Sequence, residues 1–138
     1  MKSTIKWTDN VQFVAETGSG HALVIDGTPD HGGRNTGPRP MELVLAGAAS
    51  CTAIDVVLML KKSRQAVSAF SVDADALRAT EDPKVFTAIK LTFRFVGKNL
   101  DPNAVERAVK LSKEKYCSAT AMLGKTAEIT TEIVITQS

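Results

Sequence analysis

The chain has 138 residues, 43% hydrophobic and 23% charged, the profile of one globular domain (1–138) with a real core rather than a disordered chain. Seventeen basic against fifteen acidic residues leave a dispersed net charge of +2, and only 5% are aromatic, so the charge footprint and stacking platforms of a nucleic-acid binder are lacking. Met1–Trp7 has no apolar signal-peptide core, which predicts a cytoplasmic protein whose two cysteines, Cys51 and Cys117, are reduced at rest. Those cysteines lie 66 residues apart and His21 and His31 fall in no ligand motif, so neither a metal site nor a cofactor is expected.

In chain order, Thr4–Thr8, Val11–Thr17 and His21–Asp26 read as three short strands joined by Asp9-Asn10 and Gly18-Ser19-Gly20, an antiparallel meander. A loop rich in Gly, Pro and Asn follows to Arg39. It carries His31, Arg34 and Arg39, as a solvated connector or as a polar lining for a site. Pro40 suits a first helical turn, and Arg39, preceding a proline, is kept out of the helical region. A long helix is therefore predicted from Pro40 to Lys62, with Lys61, Lys62 and Arg64 at its negative end. Between Leu43 and Leu60 its clearly polar side chains are Ser50, Thr52 and Asp55, so it should be buried on all sides. That polar cluster argues against a membrane span. A chain this short has little with which to wrap such a helix, which points to a second subunit.

Val67–Ala79 alternates, with Phe70, Val72, Ala74 and Ala76 on one face. After a turn at Thr80–Lys84 the return strand turns Ile89, Leu91, Phe93 and Phe95 inward, giving an antiparallel pair with one dry face. Asp101-Pro102 caps a second helix lined by Val105, Ala108 and Val109 and ending near Tyr116, with Glu106 and Lys110 as a surface pair. One more helical turn, Ala119–Leu123, precedes a last strand, Thr126–Thr136, with Ile129, Thr131, Ile133 and Ile135 inward. The order βββ-α-ββ-α-β is an α+β layout.

Taken alone, Cys51 in an apolar helix fits a small buried hydrophobe, yet Ser50 and Thr52 beside it are not what a pure core needs. Asp55 follows one turn later on the same side, and its charge opposes a thiolate unless it is paired or turned away. Cys117 sits between the end of one helix, which raises a thiol pKa, and the start of another, which lowers it.

The run Gly37-Pro38-Arg39-Pro40-Met41-Glu42-Leu43 leading to Ala48-Ala49-Ser50-Cys51-Thr52-Ala53-Ile54-Asp55, with Tyr116-Cys117-Ser118 near the C-terminus, resembles the OsmC/Ohr family, in particular its YhfA-like branch. The resemblance spans the whole chain. It implies an intertwined homodimer around two long central helices, with sites at the subunit interface. It also implies thiol peroxidase activity on organic hydroperoxides with a dithiol reductant: Cys51 the peroxidatic residue and Cys117 the resolving one. The alternative is a non-enzymatic dimeric protein binding a small apolar ligand at the interface. Three positions depart from the peroxidase pattern. Met41 stands where the family glutamate precedes the first cysteine by ten residues, no arginine follows Thr17-Gly18, and Ser118 replaces a proline. Glu42, nine residues before Cys51, is about 900° around and about 13.5 Å along a helix, hence on the opposite face. Arg34 or Arg39 is the candidate substitute for the missing arginine.

Overall fold

The computed structural model describes residues 1–138, and its backbone gathers into two compact units, Met1–Val44 and Leu45–Ser138. The fold is α+β with two three-stranded sheets.

The first unit is the predicted meander. Strands β1 (Ser3–Asp9), β2 (Gln12–Thr17) and β3 (Ala22–Ile25) pair antiparallel in that order, with Trp7 opposite Phe13 and Phe13 opposite Ile25. Asn10 turns the first hairpin in a left-handed conformation (φ 46°), which asparagine tolerates better than most residues. Of the meander's strand residues only Ala15 is buried, so the unit has almost no core of its own. Order in the following loop comes instead from Asp26, only 2% exposed, whose carboxylate gathers four donors. These are the amides of Gly27 (2.8 Å), Arg34 (3.0 Å) and Thr36 (3.1 Å) and the Thr36 hydroxyl (2.7 Å). Led by that hydroxyl, these bonds hold the Asp26 carboxyl down at about 2. The sequence marks Asp26 merely as the end of a strand.

Helix α1 spans Pro40–Lys62. Arg39 is its N-cap, since its carbonyl accepts from Leu43 (3.1 Å) and its amide donates to Glu42 Oε1 (2.9 Å), one half of a capping box. Glu42 therefore has a structural task at the helix start. In the second unit α1 buries one stripe, Ala48, Thr52, Val56 and Leu60, spaced four residues apart. The remaining apolar residues are not covered by this chain: Ile54 is 62% and Leu58 61% exposed. The prediction of burial on all sides thus meets a helix of which a single chain covers one side. By length and composition alone α1 is apolar enough to cross a membrane; in this fold the buried stripe makes it a packing element of the second unit.

The second sheet runs β4 (Ala66–Arg78), β5 (Phe86–Lys98), β6 (Glu128–Gln137). The β4–β5 pair is antiparallel, and central β5 buries Ile89, Leu91, Phe93 and Phe95, as the alternation predicts. Phe70 of β4 stacks on Phe95 with ring centroids 4.6 Å apart. Strand β6 lies parallel to β5, which requires a long crossover. That crossover is α2 (Pro102–Leu111), a π turn over Ser112–Tyr116, and α3 (Ser118–Leu123). Asp101 caps α2 by accepting from the Asn103 amide (2.9 Å), and Val105, Ala108 and Val109 are its buried face. Two expectations need correcting. Thr131 is exposed although Ile129 and Ile133 on the same strand are half-buried, because it opens onto a groove lined by Glu106, Val109, Lys110 and Lys113 of the crossover. Glu106 and Lys110 form no ion pair, as is common for two solvated side chains.

Candidate active site

The second unit brings Cys51 and Cys117 together. Cys51 projects from the middle of α1 and is partly exposed, whereas Cys117, the N-cap of α3, is 2% exposed. The two thiols are side by side, and both are reduced. The Cys117 sulfur accepts the Thr120 amide at 3.4 Å. Burial pushes the Cys117 thiol above its ordinary value and the neighbouring Cys51 thiol adds to that, while Thr120 pulls the other way. Of the two opposing helix ends, the start of α3 does act through the Thr120 amide, but desolvation outweighs it.

The polar residues around Cys51 divide into two kinds. The Thr52 hydroxyl donates back to Ala49 O (2.9 Å) and the Ser50 hydroxyl to Gly47 O (3.2 Å), so both are satisfied by the helix itself and neither bonds a thiol. Asp55 is different. Its Oδ2 accepts from the hydroxyl of Ser112 at 2.9 Å, and Ser112 is completely buried at the start of the π turn. Of the two arrangements the sequence leaves open for Asp55, a partner or a turn away from the thiol, the structure shows a hydrogen-bond partner from 57 residues away, and no feature of the sequence singles out Ser112 as the donor.

The two loop arginines are occupied within the first unit. Arg34 forms an ion pair with Asp9 (2.7 Å), and Arg39 donates to Asn35 Oδ1 (2.9 Å) and Gly37 O (3.0 Å). His21 bonds Ser19 and His31 bonds Thr28, both at exposed positions. No three His, Cys, Asp or Glu side chains are gathered so as to hold a metal ion.

A profile of OsmC-like proteins matches residues 32–132. The chain belongs to the OsmC family. Within reach of this OsmC-like chain is the protein YhfA of Escherichia coli K12, 43% identical over 130 residues and 94% of each chain. A solved structure of a hypothetical protein from Aquifex aeolicus VF5 is 28% identical with a TM-score of 0.87, covering 99% of this chain and 96% of that one. The organic hydroperoxide resistance protein OhrB of Bacillus subtilis superposes with a TM-score of 0.63 over 96% of each chain, at 18% identity, where the likeness concerns the fold.

Proposed function

We propose that this OsmC-family chain is a cysteine-based thiol peroxidase that reduces organic hydroperoxides in oxidative-stress defence, working as a cytoplasmic homodimer recycled by a dithiol. The observation that carries the proposal is the thiol pair itself, one sulfur partly exposed and the other buried beside it. That asymmetry suits a division of labour. The Cys51 thiolate attacks one peroxide oxygen, the O–O bond breaks, and the departing alkoxide takes a proton to leave as an alcohol, with Cys51 left as a sulfenic acid. The Cys117 sulfur, shielded from substrate, then attacks the Cys51 sulfur. A disulfide forms, and the sulfenic hydroxyl leaves as water with the thiol's proton. A dithiol reductant returns both cysteines to thiols and is itself oxidised to a disulfide.

The uncovered side of α1 supports the dimer, because Ile54 and Leu58 project from the side opposite the buried stripe and a second copy offers the same apolar face. Support for the thiolate is thinner than in the peroxidase pattern, with Met41 in the glutamate position and Arg34 and Arg39 bonded within their own unit. One preorganised charge-stabilising group is typically worth about 2.7–4 kcal/mol, roughly a hundred- to a thousand-fold in rate. Oxidation of Cys51 should therefore be faster than that of free cysteine but well below peroxidases that keep both groups.

The test is mass spectrometry and stopped-flow kinetics of the reduced protein with cumene hydroperoxide. The parent should form a Cys51–Cys117 disulfide, Cys117→Ser should accumulate a trappable sulfenic acid on Cys51, and Cys51→Ser should consume no peroxide. Consumption no faster than by free cysteine would instead favour the binding protein with an apolar interfacial ligand.

A further inference from the structure

We propose that Asp55 is a positioning residue for the cysteine pair: through Ser112 its carboxylate latches the π turn that sets Cys117 beside Cys51. The inference rests on the redox-pair reading above and adds two residues to it. Asp55 follows Cys51 by four residues, so helix α1 presents thiol and carboxylate on adjacent turns of one face, with Cβ atoms about 5–6 Å apart. The crossover segment answers with Ser112 and Cys117, the two ends of a single π turn. Ser112 Oγ lies 2.9 Å from Asp55 Oδ2, and Ser112 O accepts the Cys117 amide at 2.8 Å, an i to i+5 bond that closes the turn. One residue is thus tied to the carboxylate by its side chain and to Cys117 by its backbone.

The Ser112 hydroxyl has one proton and two candidate acceptors, Asp55 Oδ2 at 2.9 Å and Thr52 O at 3.3 Å. The shorter contact goes to the charged oxygen, the stronger class of hydrogen bond. Both acceptors belong to α1, so the hydroxyl anchors the π turn to the helix that carries Cys51. Geometry makes the anchor matter. A π turn is rare and holds one residue more than an α turn, which rotates every later position by about 100° about the axis. If Ser112–Tyr116 relaxed to α geometry, Cys117 would face another direction. Its own tie to Thr120 fixes it to α3, and the Ser112 hydroxyl, set against Asp55 and Thr52 of α1, is the polar tie that holds its register against that helix.

The test uses diamide, which takes two electrons and two protons from the thiol pair and so reads disulfide closure without peroxide. Closure in the reduced full-length protein is timed by quenched alkylation and mass spectrometry, and hydrogen exchange is followed at the Cys117 amide. Asp55→Ala and Ser112→Ala should each slow closure by about tenfold, the scale of one lost charge-assisted bond, and raise exchange at Cys117. The double variant should be no slower than Ser112→Ala alone, since that change already removes the contact to Asp55. Asp55→Asn keeps an acceptor oxygen for Ser112 at about half the strength of the charged bond and should close about threefold more slowly than the parent, clearly faster than the alanine variants. Should Asp55→Ala fail to fold, Ser112→Ala and Asp55→Asn carry the comparison. Closure at the parent rate in Ser112→Ala, or Asp55→Asn as slow as the alanine variants, would overturn the latch. A parent that closes with diamide but not with peroxide would remove the peroxidase reading and leave the latch standing; a parent that closes with neither removes both.

Discussion

Replacing Leu58 with alanine separates a lone chain from a dimer. Leu58 is 61% exposed on the side of α1 opposite Val56, and in an isolated chain such a change lies within about 0.5 kcal/mol of neutral. If a second copy covers that side, the accounting differs. Burying a leucine side chain fully is worth about 1.5–3 kcal/mol, so the exposed three-fifths corresponds to about 1–2 kcal/mol. A two-fold dimer carries the substitution twice, giving about 2–4 kcal/mol before any cavity is counted. At 1.4 kcal/mol per factor of ten, the dimer dissociation constant should rise by about thirty- to seven-hundred-fold. Sedimentation velocity over a dilution series, with thermal unfolding at each concentration, reads this directly. The parent should remain dimeric and unfold at a midpoint that rises with concentration, while Leu58→Ala should dissociate at much higher concentration. A parent that sediments as a folded monomer at micromolar concentration, and a variant that matches it in size and midpoint, would refute the reasoning.

Acid sensitivity should centre on Asp26. Its carboxyl is held at about 2 in the folded chain against 3.8 as its ordinary value, so the stabilisation is fully present above about pH 4 and is lost as pH falls toward 2. In denaturant titrations Asp26→Ala should be less stable than the parent at pH 7, and the gap should narrow between pH 4 and pH 2. Glu42→Ala should remove half of the α1 capping box at a cost of about 0.3–1.5 kcal/mol, with no effect on diamide-driven disulfide closure; calorimetry and the closure assay check the two halves. Val56→Ala, in the buried stripe of α1, should cost about 1.5–3 kcal/mol and lower the midpoint, in contrast to exposed positions on a lone chain.

Elements whose signals are local are legible in the amino-acid order. Alternation along β5 picks out Ile89, Leu91, Phe93 and Phe95, all buried, and Asp101-Pro102 starts α2 with the predicted cap. The apolar run of α1, the α+β order and the two-cysteine pattern of the family are equally legible, because each depends on residues a few positions apart or on a motif. The folded chain alone shows that β6 runs parallel to β5 and that one chain covers a single stripe of α1. It also assigned Asp55 its donor and Asp26 its four, and it gave the loop arginines Asp9 and Asn35 as partners. A side-chain hydrogen bond has no periodicity and leaves no trace in the spacing of its partners. Asp55 and Ser112 are 57 residues apart, and nothing short of the folded crossover, with its extra residue in the π turn, brings that hydroxyl to that carboxylate.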